Sequence, residues 1–199
     1  NKSLVSVLQP YVFNTGTHQA NAAQLAFRTL PVETARAWIS TLAKNETQAR
    51  IVIQATGILG DPHAVNWLIT KMTEPKLARL AGEAFTQITG VDFTQHELIA
   101  EEPIDQSQIP GDDAEDDDVG LDEDENLPWP DVAKVTGLWR NHGQHFMVGQ
   151  RYFLGRPITA DWLKQKLATG TQRQRHAAAL ELALSGETPL INTRARILS

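Results

Sequence analysis

Three tryptophan-headed phrases recur along the chain, each trailed by an arginine and a glycine at near-constant spacing, and this recurrence restricts the fold more than any other feature. They are "AWISTLA" at 37–43, "NWLITKMT" at 66–73 and "DWLKQKLAT" at 161–169. Arg50 lies 12 residues after Trp38, Arg79 lies 12 after Trp67, and Arg175 lies 13 after Trp162. Gly60, Gly90 and Gly186 then close the three units. The first two units are contiguous, at roughly 30 residues each, a period that marks stacked-repeat architectures.

Each unit reads as two helices. Asp61 is placed to cap a helix with Pro62 at its first position, a preferred pair. Ala64, Val65, Leu68, Ile69 and Met72 then share one face. After Glu74-Pro75, a second helix carries Leu77, Leu80, Ala81, Ala84, Phe85 and Ile88 on one stripe and stops at Gly90. The preceding unit has the same plan. Pro31 opens it, Val32, Ala35, Trp38, Ile39 and Leu42 form the stripe, and Asn45 breaks it. Ala49, Val52, Ile53, Thr56 and Leu59 then lead to Gly60. A hairpin of this size cannot bury both faces alone, so it must stack on neighbours.

Charge is segregated along the chain. Residues 101–127 hold 13 carboxylates and no basic group, whereas 128–199 hold 10 basic and 4 acidic groups, and 1–100 are nearly balanced at 8 against 7. The net charge of −6 conceals this division. Composition and repeat pattern together divide the chain into helical repeats at 1–100, an acidic flexible insertion at 101–127, and a C-terminal helical segment with a further hairpin at 128–199. The insertion is not a calcium loop. Aligning Asp113, Glu115 and Asp117 on the first ligand positions puts Asp118 where the turn glycine belongs, and aligning Asp116 and Asp118 puts Gly120 one place early. High charge with nothing to bury predicts a solvated tether at 111–125. Folding over the basic C-terminal part stays open as the alternative.

Beyond the insertion, a helix is expected from about Pro130, with Asp131 near its start and Val132, Val135, Leu138 and Trp139 on its apolar face. "MVGQRYFLGRP" is short and bounded by glycine, so it reads as an extended connector to the last hairpin. The first residues, 3–13, read as the tail of a helix that begins upstream. With no cysteine, disulfides and thiolate chemistry are excluded, and a cytoplasmic setting is expected. No run approaches the ~18 apolar residues of a membrane span.

The run "GILGDPHAVNWLITKMTEPKLARLAGEAFTQITG" at 57–90 resembles a HEAT-type repeat of the short bacterial kind. The Leu-Gly-Asp-Pro turn, the Ala-Val pair, the mid-unit break and the closing Ile-Thr-Gly carry the resemblance. It extends over 31–90 and, less closely, 158–186. "LPWPDVAKVTGLWRNHGQHFMVGQRYFLGRPIT" at 127–159 is similar to the C-terminal block of a proteobacterial HEAT-like family. The residues that carry this are Leu127-Pro128-Trp129-Pro130-Asp131, Trp139, and Gly149-x-Arg151-Tyr152-x-x-Gly155-x-Pro157. The resemblance implies an all-α, right-handed HEAT-like solenoid with an acidic disordered insertion. It also implies a type VI secretion setting, in which the partner is an effector or spike component and this chain an adaptor or immunity protein.

Catalytic signatures are sparse. HEAT-like hairpins can carry a di-iron site built from paired His-Glu steps. Here His96-Glu97 is the one such step, and Ala177 follows His176 where the second Glu is needed. His142 and His145 are three apart but lack a third ligand. No phosphate-binding glycine loop or nucleophile elbow is present. The sequence therefore predicts no enzyme, no metal and no cofactor. Trp38, Trp67 and Trp162 are expected in the core. Arg50, Arg79 and Arg175 recur near the starts of second helices, and in HEAT-like stacks such arginines line the inner surface. Together with Trp129, in its Pro-Trp-Pro setting, they are the candidate partner-binding residues of a non-catalytic protein scaffold. The alternative is an enzyme or a nucleic-acid-binding repeat protein. Binding to nucleic acid would need a continuous basic groove, which the neighbouring polyanion disfavours.

Overall fold

Helix start and stop signals set the element order. A computed structural model describes residues 2–100, 124–189 and 193 and is 66% helical. The chain divides into two compact units, Asn1–Pro31 with Arg156–Ser199, and Val32–Gly155. This is a division by packing. The division 1–100, 101–127 and 128–199 is one by composition and repeat pattern, and the two cut the chain at different places.

In the unit Val32–Gly155, helix α3 (Val32–Leu42) starts after Pro31. The Asn45 side chain then accepts from the Thr47 amide at 3.1 Å and caps a 3-10 turn that runs into α4 (Ala49–Leu59). Asp61 repeats the device. Its backbone is extended, its carboxylate accepts from the His63 amide, and Pro62 opens the turn leading into α5 (Val65–Lys71). Helix α6 (Pro75–Thr89) has proline in its first turn and ends at Gly90. Of the expected stripes, Val52, Ile53, Thr56 and Leu59 on α4 are buried and Ala49 is half-buried, and on α6 Leu77, Leu80, Ala81, Ala84, Phe85 and Ile88 are buried. Each fully buried large apolar side chain among these is worth ~1.5–3 kcal/mol.

Helix α4 packs directly on α6. Gly57 permits this, since a Cβ there would lie 3.0 Å from the Ala84 Cβ and 2.9 Å from Gln87 Oε1. Helix α7 (Val132–His142) is capped by Asp131, which accepts from the Lys134 amide at 3.1 Å. Fully buried Val135 and half-buried Trp139 pack α7 onto the same core.

The connector after α7 closes the ends of both second helices. Arg151 Nε donates to the Leu59 carbonyl at 3.0 Å, and the Tyr152 amide donates to the Gly60 carbonyl at 2.7 Å. The Leu154 and Gly155 amides donate to the Gln87 and Ile88 carbonyls at 2.7 and 3.0 Å. Carbonyls left unpaired at the ends of α4 and α6 thus find donors. Gly60 sits at φ 73, where a Cβ would overlap the Tyr152 carbonyl, so glycine is required there twice over. Strands β1 (Tyr152–Phe153) and β2 (Arg156–Pro157) pair about a turn in which Leu154 and Gly155 both have positive φ, the type I′ signature.

The other unit holds α1 (Lys2–Phe13), α2 (Gln19–Thr29), α8 (Ala160–Thr169) and α9 (Gln172–Leu184). Alanines dominate the buried faces of α2 and α9, which contact each other: Ala22, Ala23 and Ala26 on one, Ala177, Ala178 and Ala179 on the other. Arg28 and Glu181 approach to 3.5 Å inside this unit, and both are buried. A reciprocal capping box at Thr171 and Gln174 starts α9. Exposed Leu4, Val7 and Tyr11 share one face of α1.

Candidate partner-binding site

Helices α4 and α6 each present one of the recurring arginines, and both meet the segment at the end of the acidic run. Arg50 is the second residue of α4, and its side chain is 44% exposed. Its Nη1 donates to Asp124 Oδ2 at 2.7 Å, across 74 residues of sequence. Asp124 itself is buried. On α6, the Arg79 guanidinium lies 4.9 Å from the Trp129 ring centroid, in cation–π range. Trp129 is half-buried beneath it.

The backbone fixes this segment in place. The Ala100 amide donates to the Trp129 carbonyl at 2.9 Å, and the Asp131 amide donates to the Leu98 carbonyl at 2.7 Å. Ile99 and Pro130 form the antiparallel bridge between them. The two ends of the acidic insertion are therefore clasped together. Gly82, on the same helix as Arg79, leaves space that Phe93 and Pro130 occupy in ordinary contact. Asp124, Pro128, Trp129 and Pro130 thus lay an acidic and aromatic strip along this part of the unit, turned at 124–127 where the Leu127 amide donates to the Asp124 carbonyl at 2.8 Å, with Arg50 on Asp124 and Arg79 on Trp129.

The tether expected at 111–125 lies mostly outside the described residues. Its last members, Asp124 and Glu125, are described; Glu125 is exposed as expected, and at Asp124 the expectation is corrected. Asp124 is buried against Arg50 instead of solvated, because one carboxylate of the run finds a guanidinium on α4.

Arg175, the third candidate, sits on α9 in the other unit. Its Nε donates to the Leu167 carbonyl at 3.1 Å and so links α9 to α8 within one hairpin. Burial of the tryptophans also departs from expectation. Trp38 is buried at 8% exposure, but Trp67 and Trp162 are only half-buried. Lys71 covers Trp67 at 5.7 Å, and Arg156 and Lys166 flank Trp162 at 4.5 and 4.4 Å.

Sequence reading assigned Asp61 only a capping role, yet its carboxylate takes donors from three residues. Oδ2 accepts from Arg36 at 2.6 Å, and Oδ1 accepts from the His63 and Gly149 amides at 3.2 and 3.0 Å. Burial alone would raise its pKa. The Arg36 hydrogen bond, the two amides and the Arg36 charge outweigh burial and hold Asp61 below the usual carboxylate range. Arg36 is shifted up in turn, chiefly by its hydrogen bond to Asp61. Asp61 therefore ties α3, the α4–α5 turn and the connector together. The glycine at 149 was visible in the sequence, but nothing local paired it with Asp61.

Beside this pair, a pocket of about 260 Å³ opens between α3, α4 and α5, walled by Ile39, Ala43, Val52, Leu59 and Trp67. Histidines elsewhere bond locally: His96 Nδ1 to the Asp92 carbonyl, His142 Nδ1 to Leu138 and His145 Nδ1 to His142. Among the described residues, no group of three or more His, Cys, Asp or Glu is arranged to hold a metal ion. No helix among them is long and apolar enough to cross a membrane. Comparison with protein-family models, with curated proteins and with solved structures gave no match.

Proposed function

We propose that the protein is a non-catalytic protein-binding module that engages a peptide segment of its partner on the surface of α4 and α6. One observation carries this reading. Arg50 and Arg79 already hold a peptide-like strip of the same chain through an ion pair and a cation–π contact. A surface that seats a chain segment by side-chain contacts, beside a strand edge that bonds its main chain at Trp129 and Asp131, has the elements of linear-peptide recognition. Arg50, Arg79 and Trp129 belong to this reading. Arg175, with its Nε on the Leu167 carbonyl, does not enter it.

The two hairpins of this unit, α3–α4 and α5–α6, pack through their second helices, as neighbouring repeats of a HEAT-like stack would. We take the third hairpin, α8–α9, as a further copy of the same repeat in an α-solenoid. The resemblance of 127–159 to a secretion-associated family makes a type VI effector or spike component the first partner to test. Binding of such a purified protein should fall at least tenfold in the Arg50→Glu/Arg79→Glu variant, provided the variant keeps its helical circular dichroism. Unchanged affinity would remove α4 and α6 from the interface. Tight, steeply salt-dependent binding to DNA in place of protein would transfer the surface to the nucleic-acid class.

A further inference from the structure

The strip that lies against Arg50 and Arg79 has the composition of a ligand. It reads Asp-Glu-Asn-Leu-Pro-Trp-Pro-Asp at 124–131, with the acid and the aromatic that touch the two arginines five residues apart. We infer that this strip is an internal competitor, and that the protein's partner presents an acidic, tryptophan-containing linear segment which must displace it. The inference rests on the reading that α4 and α6 form the binding surface, and it adds the ligand's chemistry and a regulatory step.

Four features support it. Asp124 is buried whereas Arg50 is 44% exposed, so the arginine lies where an incoming carboxylate could reach it as the strip leaves. The cation–π contact places an aromatic face on Arg79, a mode of contact open to any tryptophan that reaches the same guanidinium. The strip is held at its edge by two main-chain bonds, Ala100 to Trp129 and Asp131 to Leu98, which any extended peptide could reproduce. Finally, 13 carboxylates lie in 101–127, immediately upstream of and overlapping the strip, so the stretch that carries Asp124 is itself strongly acidic, as the proposed ligand is.

Covalent attachment gives the strip an effective concentration of order millimolar, so it suppresses a free peptide of equal intrinsic affinity. Seating of the strip requires an intrinsic dissociation constant below that effective concentration, about tenfold below for a surface closed nine-tenths of the time. The strip then lowers the apparent affinity of a competitor by about tenfold, in proportion to the fraction of open surface.

The probe is a fluorescein-labelled peptide of sequence DENLPWPD, followed by polarisation against the full chain. Parent protein should bind it weakly. The Asp124→Asn/Trp129→Leu variant should bind it about tenfold more tightly, and Arg50→Ala/Arg79→Ala in that background should abolish the gain. A second measurement needs no substitution. Amide exchange at Asp131 in the parent should accelerate when the peptide is saturating, because displacement frees the strip's own amide, whereas the Ala100 amide passes to the peptide. An opened variant that binds no better than parent, with exchange at Asp131 unmoved by peptide, shows the strip to be a fixed part of the fold and overturns the inference. Heparin binding gained on opening, with none for the peptide, overturns it in favour of a guarded polyanion site. If the opened variant binds the peptide but the partner protein binds independently of Arg50 and Arg79, the competitor stands and the proposed function falls.

Discussion

The hairpins α3–α4 and α5–α6 on one hand and α8–α9 on the other carry the same sequence marks and use them differently. In the first two, the second-helix arginines Arg50 and Arg79 reach residues outside their own hairpins, Asp124 and Trp129. In α8–α9, Arg175 turns inward and bonds the Leu167 carbonyl of its own hairpin. Core composition differs likewise. Helix α6 buries Phe85, Leu77, Leu80 and Ile88, whereas Leu163 is the buried residue of α8 and alanines fill much of α9. A hairpin with a thin apolar face gains from an internal side-chain bond, whereas one with a full core can spare its arginine for other contacts. A repeated mark therefore reports the architecture of the unit, while the neighbour that each copy meets decides its use.

The largest effect should fall on the apolar hairpins. Phe85→Ala removes a ring that is fully buried between Phe93 and Trp139, and urea denaturation should show a loss of ~3–5 kcal/mol. Leu163→Ala in α8 should cost less, ~2–3 kcal/mol, the low end of the range for leucine. Equal losses would erase the contrast between the two kinds of hairpin.

The tryptophans sharpen it further. Trp38→Ala should cost ~3–5 kcal/mol, as for a buried indole, and Trp67→Ala only ~1–2 kcal/mol, because it is only half-buried and Lys71 lies over its ring. Losses that match would show Trp67 to be core.

Asp61→Asn tests the carboxylate that binds the first two hairpins to the connector. At neutral pH it should destabilise by ~2 kcal/mol, below the full figure for breaking a buried pair because Arg36 is partly exposed. A depressed folded pKa gives a contribution fully present above the unfolded value, about 4, and lost as pH falls through the folded value. The gap between parent and variant should therefore close in acid. A gap that stays constant down to about pH 2 would separate Asp61 from this linkage.

Much of this fold was legible because its signals are local. Asp61-Pro62, Glu74-Pro75, Asn45, Gly60 and Gly90 each act within one turn, and the helices start and stop where these residues place them. The tryptophan error is also physical. Trp38 belongs to the stripe with Ala35 and Leu42, but Trp67 precedes Leu68 by one residue, which turns it about 100° from the buried face at 3.6 residues per turn. The same rotation applies to Trp162 beside buried Leu163. At the candidate site, Arg50, Arg79 and Trp129 stood out through repetition and the Pro-Trp-Pro context. Asp124 did not, because one carboxylate among many neighbours has no local feature to select it, and its partner lies 74 residues away.

A double-mutant cycle between Arg50 and Asp124 tests most directly whether the strip is seated on α4 and α6. Stabilities of parent, Arg50→Ala, Asp124→Ala and the double variant would be measured in urea at low salt. A coupling of ~1 kcal/mol is expected, since the carboxylate is buried but the exposed arginine is partly screened. Additivity within ~0.3 kcal/mol would mean that the two side chains do not meet, and would contradict the seating of the strip on the arginine surface.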